Sequence, residues 1–293
     1  MSRIEDFGWK GAVEPGVGRI VSAHGDYYHL VCNEAEGEIL ARKKKSAFAK
    51  RIGNVTQRGA LRRVERGEIG DGALAPTTGD FVRFIHNAHG ESMITEVLPR
   101  FSRFERKDPT ARRKSQTLAV NFDTLFIMMS LNENFSIARI ERYLDLAADI
   151  GDAEAVVVVT KMDLREDGDE EFLGALDEAV AGRARVLHIS SVTGEGMDDV
   201  AGYVKRGRTI AFIGSSGVGK STLLNALAGE DWMATQEIQE WSGKGRHTTT
   251  SRELAMLPCG AMIVDTPGIR EIGRVGEDDA FLAKGESTHR YRK

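Results

Sequence analysis

The sequence predicts a small all-β domain followed by a larger α/β domain with a mainly parallel sheet. Three observations support this prediction. Short strand candidates separated by Gly, Asn and Asp succeed one another between residues 12 and 100, a pattern typical of a small barrel. Strand and helix patterns alternate from residue 118 onward, as they do in parallel sheets. A glycine-rich stretch at residues 214–221 lies between a strand candidate and a helix candidate, a context found in many α/β domains.

The composition is that of a soluble globular protein. The chain has 293 residues, of which 41% are hydrophobic and 29% charged, and this length is enough for two domains. It contains no apolar run of about 18 residues, so we expect no membrane span. Its charged N-terminus argues against a secretory signal. The cysteines are Cys32 and Cys259, which excludes a disulfide framework and a zinc site of four thiolates. We therefore expect a cytoplasmic protein.

Charge is distributed unevenly along the chain. Residues 1–118 hold 21 Lys and Arg against 15 Asp and Glu, a net charge of +6, so the remainder carries −10. The basic residues are clustered at 42–45, 50–51, 58–66 and 100–114. Such clusters can neutralise the phosphates of a nucleic acid, or they can form an ordinary solvated face. Charge alone does not separate these alternatives.

Five short strands are predicted in the first domain, which we place at residues 1–100. Five strands in such a span suit a small closed barrel, and the five-stranded barrel that most often binds oligonucleotides is the OB-fold. A segment rich in Gly and Arg at 47–76 interrupts the pattern and is interpreted as a long insertion. The strand candidates are residues 17–21, 27–32, 38–41, 80–85 and 92–97.

Aromatic residues on these strands have two interpretations. Tyr27, Tyr28, Phe81 and Phe84 could stack on the bases of an RNA. Aromatic residues on strands are more often core residues, and we favour that interpretation.

The polar, basic segment 101–117 is interpreted as a linker, the α/β domain as residues 118–275, and residues 276–293 as a short basic tail. Strand candidates lie at 124–131, 155–159, 186–189, 208–213, 252–257 and 261–264. Ser136 is a candidate N-cap for a helix that ends at Gly151. A second helix begins at Asp169 and ends at Gly182, and a third follows the glycine-rich stretch.

The glycine-rich stretch matches the phosphate-binding loop G-x-x-x-x-G-K-S in its strand-to-helix context. Backbone N–H groups at such a helix start converge on one point, where the helix dipole also favours an anion. Lys220 is expected to reach the β- and γ-phosphates, and the Ser221 hydroxyl to ligate Mg²⁺. The alternative is an ordinary Gly/Ser turn before a helix. The residues assigned to the nucleotide here are Gly214, Ser215, Ser216, Gly217, Val218, Gly219, Lys220, Ser221 and Thr222.

Two strand ends are predicted to select guanine. The sequence Thr160-Lys161-Met162-Asp163 follows a buried-strand pattern, and a carboxylate there can accept from both N1–H and the exocyclic amine of guanine, which adenine does not offer. The Lys161 stem is expected to lie across the base. Ser190 and Ser191 follow the next strand and are expected to present a backbone N–H to guanine O6. A plain strand-end turn is the alternative.

Two loops are predicted to sense the γ-phosphate. Residues 245–250 read G-R-H-T-T-T, and Thr249, with Thr248 as second choice, is expected to ligate Mg²⁺. The sequence D-T-P-G follows a strand candidate. Asp265 is expected to hold Mg²⁺ through water, and the Gly268 N–H to meet the γ-phosphate.

These five motifs occur in an unusual order, because the base-reading elements precede the phosphate loop and both switch loops. With an OB-like region in front and the sequence G-R-H-T-T-T, the chain resembles the circularly permuted GTPases of the RsgA (YjeQ/YloQ) family over residues 15–275. The resemblance implies a GTPase that binds the 30S ribosomal subunit and its 16S rRNA late in maturation, with hydrolysis of GTP to GDP stimulated by the subunit. It implies Mg²⁺ as cofactor, and we expect a monomer with no membrane or DNA partner.

The sequence departs from this family in one region. The family carries a zinc-binding region with Cys and His ligands after the second switch loop, whereas no Cys follows Cys259 here. His289 alone cannot build such a site. We therefore do not expect zinc.

Two residues of the sequence bear on how the attacking water is positioned. Ile269 stands where many GTPases have Gln, and its side chain forms no hydrogen bonds, so slow intrinsic hydrolysis is expected. His247 is the candidate catalytic residue, with a phosphate or RNA contact as the alternative. Two other functions also fit the sequence, a GTP-gated rRNA-binding module with incidental hydrolysis and a permuted GTPase of large-subunit assembly.

Overall fold

A computed structural model describes residues 3–44, 75–106, 116–132, 135–229, 232 and 253–265. Most of the predicted insertion at 47–76 and the whole predicted tail at 276–293 lie outside these residues. Within the described ranges, no helix has both the length and the apolar character needed to cross a bilayer.

Five strands near the N-terminus form a closed barrel. Strands β1 to β5 are Val17–His24, Tyr27–Cys32, Glu38–Lys43, Phe81–Ile85 and Ser92–Val97. They pair in the order β1-β2-β3-β5-β4, and β4 pairs again with β1. Strands β3 and β5 are parallel, and the other barrel pairs are antiparallel. The predicted five-stranded OB-like barrel is therefore confirmed.

The barrel encloses its own hydrophobic core. Ile20, Leu30, Val82 and Ile94 are fully buried in it, and each such side chain contributes roughly 1.5–3 kcal/mol to folding. A short helix, α1 (Arg3–Asp6), precedes the barrel and buries Ile4 against it.

The aromatic residues of the barrel divide between the two interpretations. Tyr28, Phe81 and Phe84 are buried, as the core interpretation requires. Tyr27 is 39% exposed, so its ring is available to a partner.

Two strands follow the barrel, in and beside the segment interpreted as a linker. Strands β6 (Arg103–Arg106) and β7 (Gln116–Val120) form an antiparallel ribbon. Phe104 and Leu118 of this ribbon are buried in a hydrophobic core of the α/β domain. The ribbon thus packs as part of that domain.

In the second domain, six of the described strands form one sheet that is parallel except for one strand. Its strands pair in the order β10-β9-β8-β11-β13-β12, and only β12 among them runs antiparallel to its neighbour β13. The predicted mainly parallel sheet is therefore confirmed. Strands β8 to β13 are Thr124–Ser130, Glu154–Thr160, Arg185–His188, Thr209–Gly214, Glu253–Met256 and Met262–Asp265.

Helices cover both faces of this sheet. Helices α2 to α5 are Ile137–Leu146, Asp169–Val180, Met197–Ala201 and Lys220–Ala228. The predicted N-cap Ser136 accepts a hydrogen bond from the Arg139 N–H at 3.3 Å. Strand β8 is buried along its whole length, with Leu125 and Ile127 in one core and Phe126 and Met128 in the other, because parallel sheets are covered on both faces.

The barrel and the α/β sheet are joined edge to edge. Ser22 of β1 pairs with Glu253 of β12, which joins the five barrel strands and the six strands of the α/β sheet into one continuous eleven-stranded sheet. The barrel therefore covers the β12 edge of the α/β sheet.

Candidate nucleotide-binding site

The predicted motifs meet at one edge of the α/β sheet. Strands β8, β9, β10, β11 and β13 are parallel, so their carboxyl ends lie side by side. Ligands of open α/β sheets bind outside these ends. Residues 160–163 begin at the last residue of β9, residues 190–191 follow β10, and residues 214–220 begin at the last residue of β11. Motifs that are separated along the chain are thus brought together in space.

The phosphate loop has the backbone that its glycines allow. Gly217 and Gly219 have φ values of 76° and 93°, in the left-handed region that favours glycine. Gly214 passes close to strand β8, since a Cβ on it would lie 2.7 Å from the Met128 carbonyl oxygen. Helix α5 begins directly after Gly219, which offers no side-chain cap. Its first N–H groups can therefore donate to an anion.

The polar side chains at the start of α5 face the open edge. Ser221 and Thr222 are exposed, and Lys220 is half-buried, with its Nζ 6.0 Å from the centre of the Phe212 ring. Val218 is buried in the core, so only its backbone is left to contact a nucleotide.

Thr160 joins the end of strand β9 to the glycine-rich loop before α5. Its Oγ1 donates a hydrogen bond to the Val218 carbonyl oxygen at 2.6 Å and lies 3.3 Å from the Met129 carbonyl oxygen. Thr160 is buried. The sequence groups Thr160 with the nucleotide contacts, whereas in the structure its hydroxyl holds the loop that would bind the phosphates.

Lys161 has an unusual backbone conformation. Its φ and ψ are 64° and 37°, and a non-glycine residue in this region is strained by about 1–3 kcal/mol. The next residue, Met162, is buried, and its N–H donates to the Ile189 carbonyl oxygen at 3.1 Å. The turn therefore buries Met162 and leaves Lys161 and Asp163 toward the sheet edge.

Asp163 is held by Ser190. The Ser190 hydroxyl donates to Asp163 Oδ1 at 2.6 Å. The Ser190 Oγ in turn accepts from the N–H groups of Val192 at 3.2 Å and Thr193 at 3.1 Å. Ser190 is fully buried, whereas Asp163 is exposed and Ser191 half-buried. The hydroxyl thus orients an accessible carboxylate.

The sequence alone predicted only a backbone contact for Ser190 and not this hydroxyl contact with Asp163. The sequence feature that could have indicated this contact is the position of Ser190 after β10, the strand that pairs with β9. The pairing of β9 with β10, from Val156↔Arg185 to Val159↔His188, is what brings the two strand ends together.

The D-T-P-G motif, predicted to sense the γ-phosphate, is described only at its first residue. Asp265 ends β13, which pairs with β11, and its backbone is level with Glu253 of β12. Gly268, His247 and Thr249 lie outside the described residues, and their assigned roles stay predictions.

The residues present fit a magnesium ion. An exposed hydroxyl, Ser221, begins α5, and a carboxylate residue, Asp265, ends the strand beside β11. Hydroxyl and carboxylate oxygens are ligands that Mg²⁺ prefers. Among the described residues, no group of three or more His, Cys, Asp or Glu side chains is arranged to hold a metal ion. A magnesium ion at this edge would thus depend on oxygens of the nucleotide and water as well.

Comparisons with known proteins place this site in context. The family model described as RsgA GTPase matches residues 97–275. The chain is 39% identical over 256 residues to the small ribosomal subunit biogenesis GTPase RsgA 2 of Lactiplantibacillus plantarum, covering 87% of this chain and 66% of that protein. It is 33% identical to the protein of that name, RsgA, from Leptospira interrogans, covering 94% of this chain and 72% of that one.

A third relative, RsgA 2 of Vibrio parahaemolyticus, is 42% identical over 70% of this chain and 56% of its own. The chain thus spans between about half and three quarters of these relatives.

Two solved structures share the fold. YjeQ from Thermotoga maritima matches with a TM-score of 0.59 and 25% identity, over 86% of this chain and 74% of that one. YloQ, described as a circularly permuted GTPase, matches with a TM-score of 0.51 and 23% identity, over 86% and 70%. The predicted fold, an OB-like barrel before a circularly permuted P-loop domain, is confirmed.

Proposed function

Because this chain belongs to the RsgA GTPase family, we propose that it binds GTP at the carboxyl edge of its α/β sheet and hydrolyses it to GDP and phosphate. The observation that carries the proposal is the juxtaposition at that edge. Ser190 orients the Asp163 carboxylate, and Thr160 ties the same strand end to the phosphate loop. Base and phosphate recognition are therefore built on one connected framework.

Guanine selection follows from the chemistry of the held carboxylate. Asp163 accepts from guanine N1–H and the exocyclic amine, whereas adenine presents an acceptor at N1. A site that pairs with a substrate N–H rejects an analogue that lacks it, because buried polar groups are then left unpaired. The Lys161 stem packs on the base, and a backbone N–H at Ser190 or Ser191 donates to O6.

The phosphates are bound by the loop from Gly214 to Thr222. Its N–H groups and the Lys220 ammonium neutralise the triphosphate. Ser221, Thr249 and Asp265 would hold Mg²⁺, and the bound ion would neutralise charge that develops between the β- and γ-phosphates. The Gly268 N–H contacts the γ-phosphate.

Water positioning is assigned to His247. Ile269, next to Gly268, has no group that can orient water. His247 lies beside Thr248 and Thr249 in sequence and can donate or accept a hydrogen bond. Intrinsic hydrolysis is slow in this proposal, and a partner accelerates it.

The partner is the small ribosomal subunit, contacted through its 16S rRNA late in subunit maturation in the cytoplasm. The names of the relatives refer to small-subunit biogenesis. The barrel supplies a fitting surface, because one exposed row crosses four of its strands through paired residues. This row, the barrel row, consists of Tyr27, Arg42, Met93 and Ile85.

The barrel row combines an aromatic ring with an arginine, Arg42, whose Nε also lies 2.7 Å from the Glu91 carboxylate. The Arg42 guanidinium lies 4.2 Å from the centre of the Tyr27 ring, and Met93 and Ile85 are 42% and 57% exposed. Aromatic and arginine planes stack on unpaired bases, and Lys43 and Lys44 follow Arg42 in sequence.

Nucleotide selection is tested with the purified chain. We expect tighter binding of GTP than of ATP, and loss of that preference in Asp163→Ala. Equal affinity of the parent for both nucleotides, or an unchanged preference in the variant, would contradict the proposal. Asp167→Ala is a matched control, since Asp167 is an exposed carboxylate on the same loop and should not alter the preference.

The partner is tested by co-sedimentation with separated 30S and 50S particles, with GDP and with a non-hydrolysable GTP analogue. Binding to 30S particles with GTPase stimulation supports the proposal. Binding to 30S without stimulation indicates a GTP-gated RNA-binding module, and binding to 50S indicates large-subunit assembly. His247→Ala is expected to lose the stimulated rate.

A further inference from the structure

Strand β1 belongs to both domains. Within the barrel it pairs with β2 and β4. At Ser22 it pairs with Glu253 of β12, and Glu253 pairs in turn with Asp265 of β13. A row of paired backbone positions therefore runs from the barrel to Asp265, the residue assigned to magnesium.

The side chains of β1 are divided between the two cores, because successive side chains of a strand point to opposite faces. The register with β2 shifts between Ile20 and Ser22, which is the mark of a β-bulge. Ile20 lies in the barrel core. Val21 lies in the α/β core with Leu254 and Val264. Neighbouring residues of one strand thus fill different domains, so a shift of the strand disturbs both cores.

Arg19 fixes this strand at the opposite end of the sheet from the nucleotide. It is fully buried, and its guanidinium lies over the Phe81 ring at 4.8 Å. The guanidinium donates to the carbonyl oxygens of Phe7 (2.6 Å), Asn121 (2.7 Å) and Gly79 (3.3 Å) and to Thr209 Oγ1 (2.9 Å). These acceptors come from the N-terminal segment, the turn before β8, the barrel and the start of β11.

The acceptors of Arg19 are neutral oxygens, and the nearby carboxylates are engaged by other cations. Asp80 binds Arg100 at 2.7 and 2.8 Å, and Asp123 binds Lys10 at 2.8 Å and Arg208 at 2.9 Å. Burial lowers the pKa of Arg19 to about 10, although Asp123 and Asp80 oppose this shift, so the group is cationic at neutral pH. A buried cation is tolerated only while its hydrogen bonds are intact.

Rotation of the barrel on the sheet would therefore break the two hydrogen bonds that Arg19 donates to the α/β domain, at Asn121 and Thr209. Thr209 is the first residue of β11, and the glycine-rich loop lies at the other end of that strand. Met262, whose Sδ lies 3.3 Å from Arg19 Nη1, is the first residue of β13, and Asp265 is its last. Arg19 thus contacts the first residue of each of the two strands, β11 and β13, that end at the proposed phosphate site.

We propose that Arg19 is a positioning residue that fixes the barrel on the α/β sheet, so that the barrel row and the nucleotide edge keep one mutual orientation. Contact of the barrel with RNA then places the nucleotide edge in a defined position on the partner. The part that concerns RNA and stimulated hydrolysis rests on the proposed function, whereas the rigid joint does not.

The joint is tested by pulsed electron paramagnetic resonance in the full chain. Spin labels at Glu36→Cys in the barrel and Glu178→Cys in α3 occupy exposed positions, in a Cys259→Ser background because Cys259 is exposed and Cys32 buried. The parent should give one narrow distance distribution. Arg19→Met should broaden it at least twofold, and Thr209→Val, which removes one acceptor, should broaden it less.

Val82→Ala is the matched control, since Val82 is a fully buried residue of the barrel core. It should lower the melting temperature and leave the distribution narrow. A narrow distribution in folded Arg19→Met, or a broadening in Val82→Ala equal to that in Arg19→Met, would overturn the proposal. If Arg19→Met does not fold, an unchanged width in Thr209→Val overturns it.

Hydrolysis provides the second measurement. Arg19→Met should keep intrinsic kcat and KM for GTP within about twofold and lose at least tenfold of the rate stimulated by 30S subunits. Simple destabilisation would lower both rates together. Retained stimulation with a broadened distribution refutes the positioning role. If the parent itself shows no stimulation, the proposed function fails, and the distance measurement still decides on the joint.

Discussion

Replacement of Thr160 by Val tests whether the base-reading strand preorganises the phosphate loop. Valine keeps the shape of the side chain and removes the hydroxyl that donates to the Val218 carbonyl at 2.6 Å. Loss of one partner of a buried hydrogen bond costs about 1–3 kcal/mol. If about 1–2 kcal/mol of this is needed to hold the loop for GTP, the Kd for GTP rises roughly fivefold to thirtyfold.

The assay is titration of the purified variant with GTP and ATP, with thermal unfolding as the test of folding. Thr160→Ser keeps the hydroxyl and should bind GTP nearly as the parent does. Preference for GTP over ATP should persist in both variants, because Asp163 is retained. The reasoning is refuted if folded Thr160→Val binds GTP with parental affinity, or if Thr160→Ser is impaired equally.

Three further predictions follow from particular contacts. Ser190→Ala frees the Asp163 carboxylate and should reduce the ratio of GTP to ATP affinity about fivefold, measured by competition; an unchanged ratio would contradict its orienting role. Gly214→Ala places a Cβ 2.7 Å from a backbone oxygen and should lower both the melting temperature and GTP affinity, whereas Gly174→Ala in α3, where no atom lies within 4 Å, should stabilise by about 0.5–1 kcal/mol. Asp123→Asn should make the free energy of unfolding, measured with urea between pH 2 and 7, fall less steeply toward acid pH than in the parent. Equal slopes for the parent and the variant would contradict this prediction.

The sign of the last prediction comes from the environment of Asp123. Burial alone would raise the pKa of Asp123, but hydrogen bonds from Lys10, the Thr209 N–H and Arg208 lower it overall. The carboxylate therefore contributes stability above its unfolded pKa of about 3.9. That contribution is lost as the pH falls through the native pKa. The Asn variant lacks it at every pH.

Most strands were predictable because hydrophobic periodicity and turn residues determine them locally. The five barrel strands and the buried strand β8 are examples. The β6–β7 ribbon was not predicted, because its apolar residues Phe104 and Leu118 stand beside a polar, basic run and are buried only by the α/β domain. Helix α4 has five residues, too few for a helical period to be recognised.

The candidate site was predictable in its motifs and less so in its internal contacts. The phosphate loop and Asp163 follow from spacing and strand context. The contacts of Thr160 with Val218 and of Ser190 with Asp163 join residues 58 and 27 positions apart, and only the order of strands in the sheet brings them together. The buried position and the hydrogen bonds of Arg19 could not be predicted from sequence, because its partners come from four separate segments of the chain.

The edge pairing of β1 with β12 has a consequence for how the protein can be divided. An α/β fragment expressed without the barrel would expose the unpaired amides and carbonyls of β12, and edge strands of this kind template self-association. It would also lack Val21, leaving a gap beside Leu254 and Val264. The barrel and the α/β domain should therefore be transferred between proteins or engineered only together.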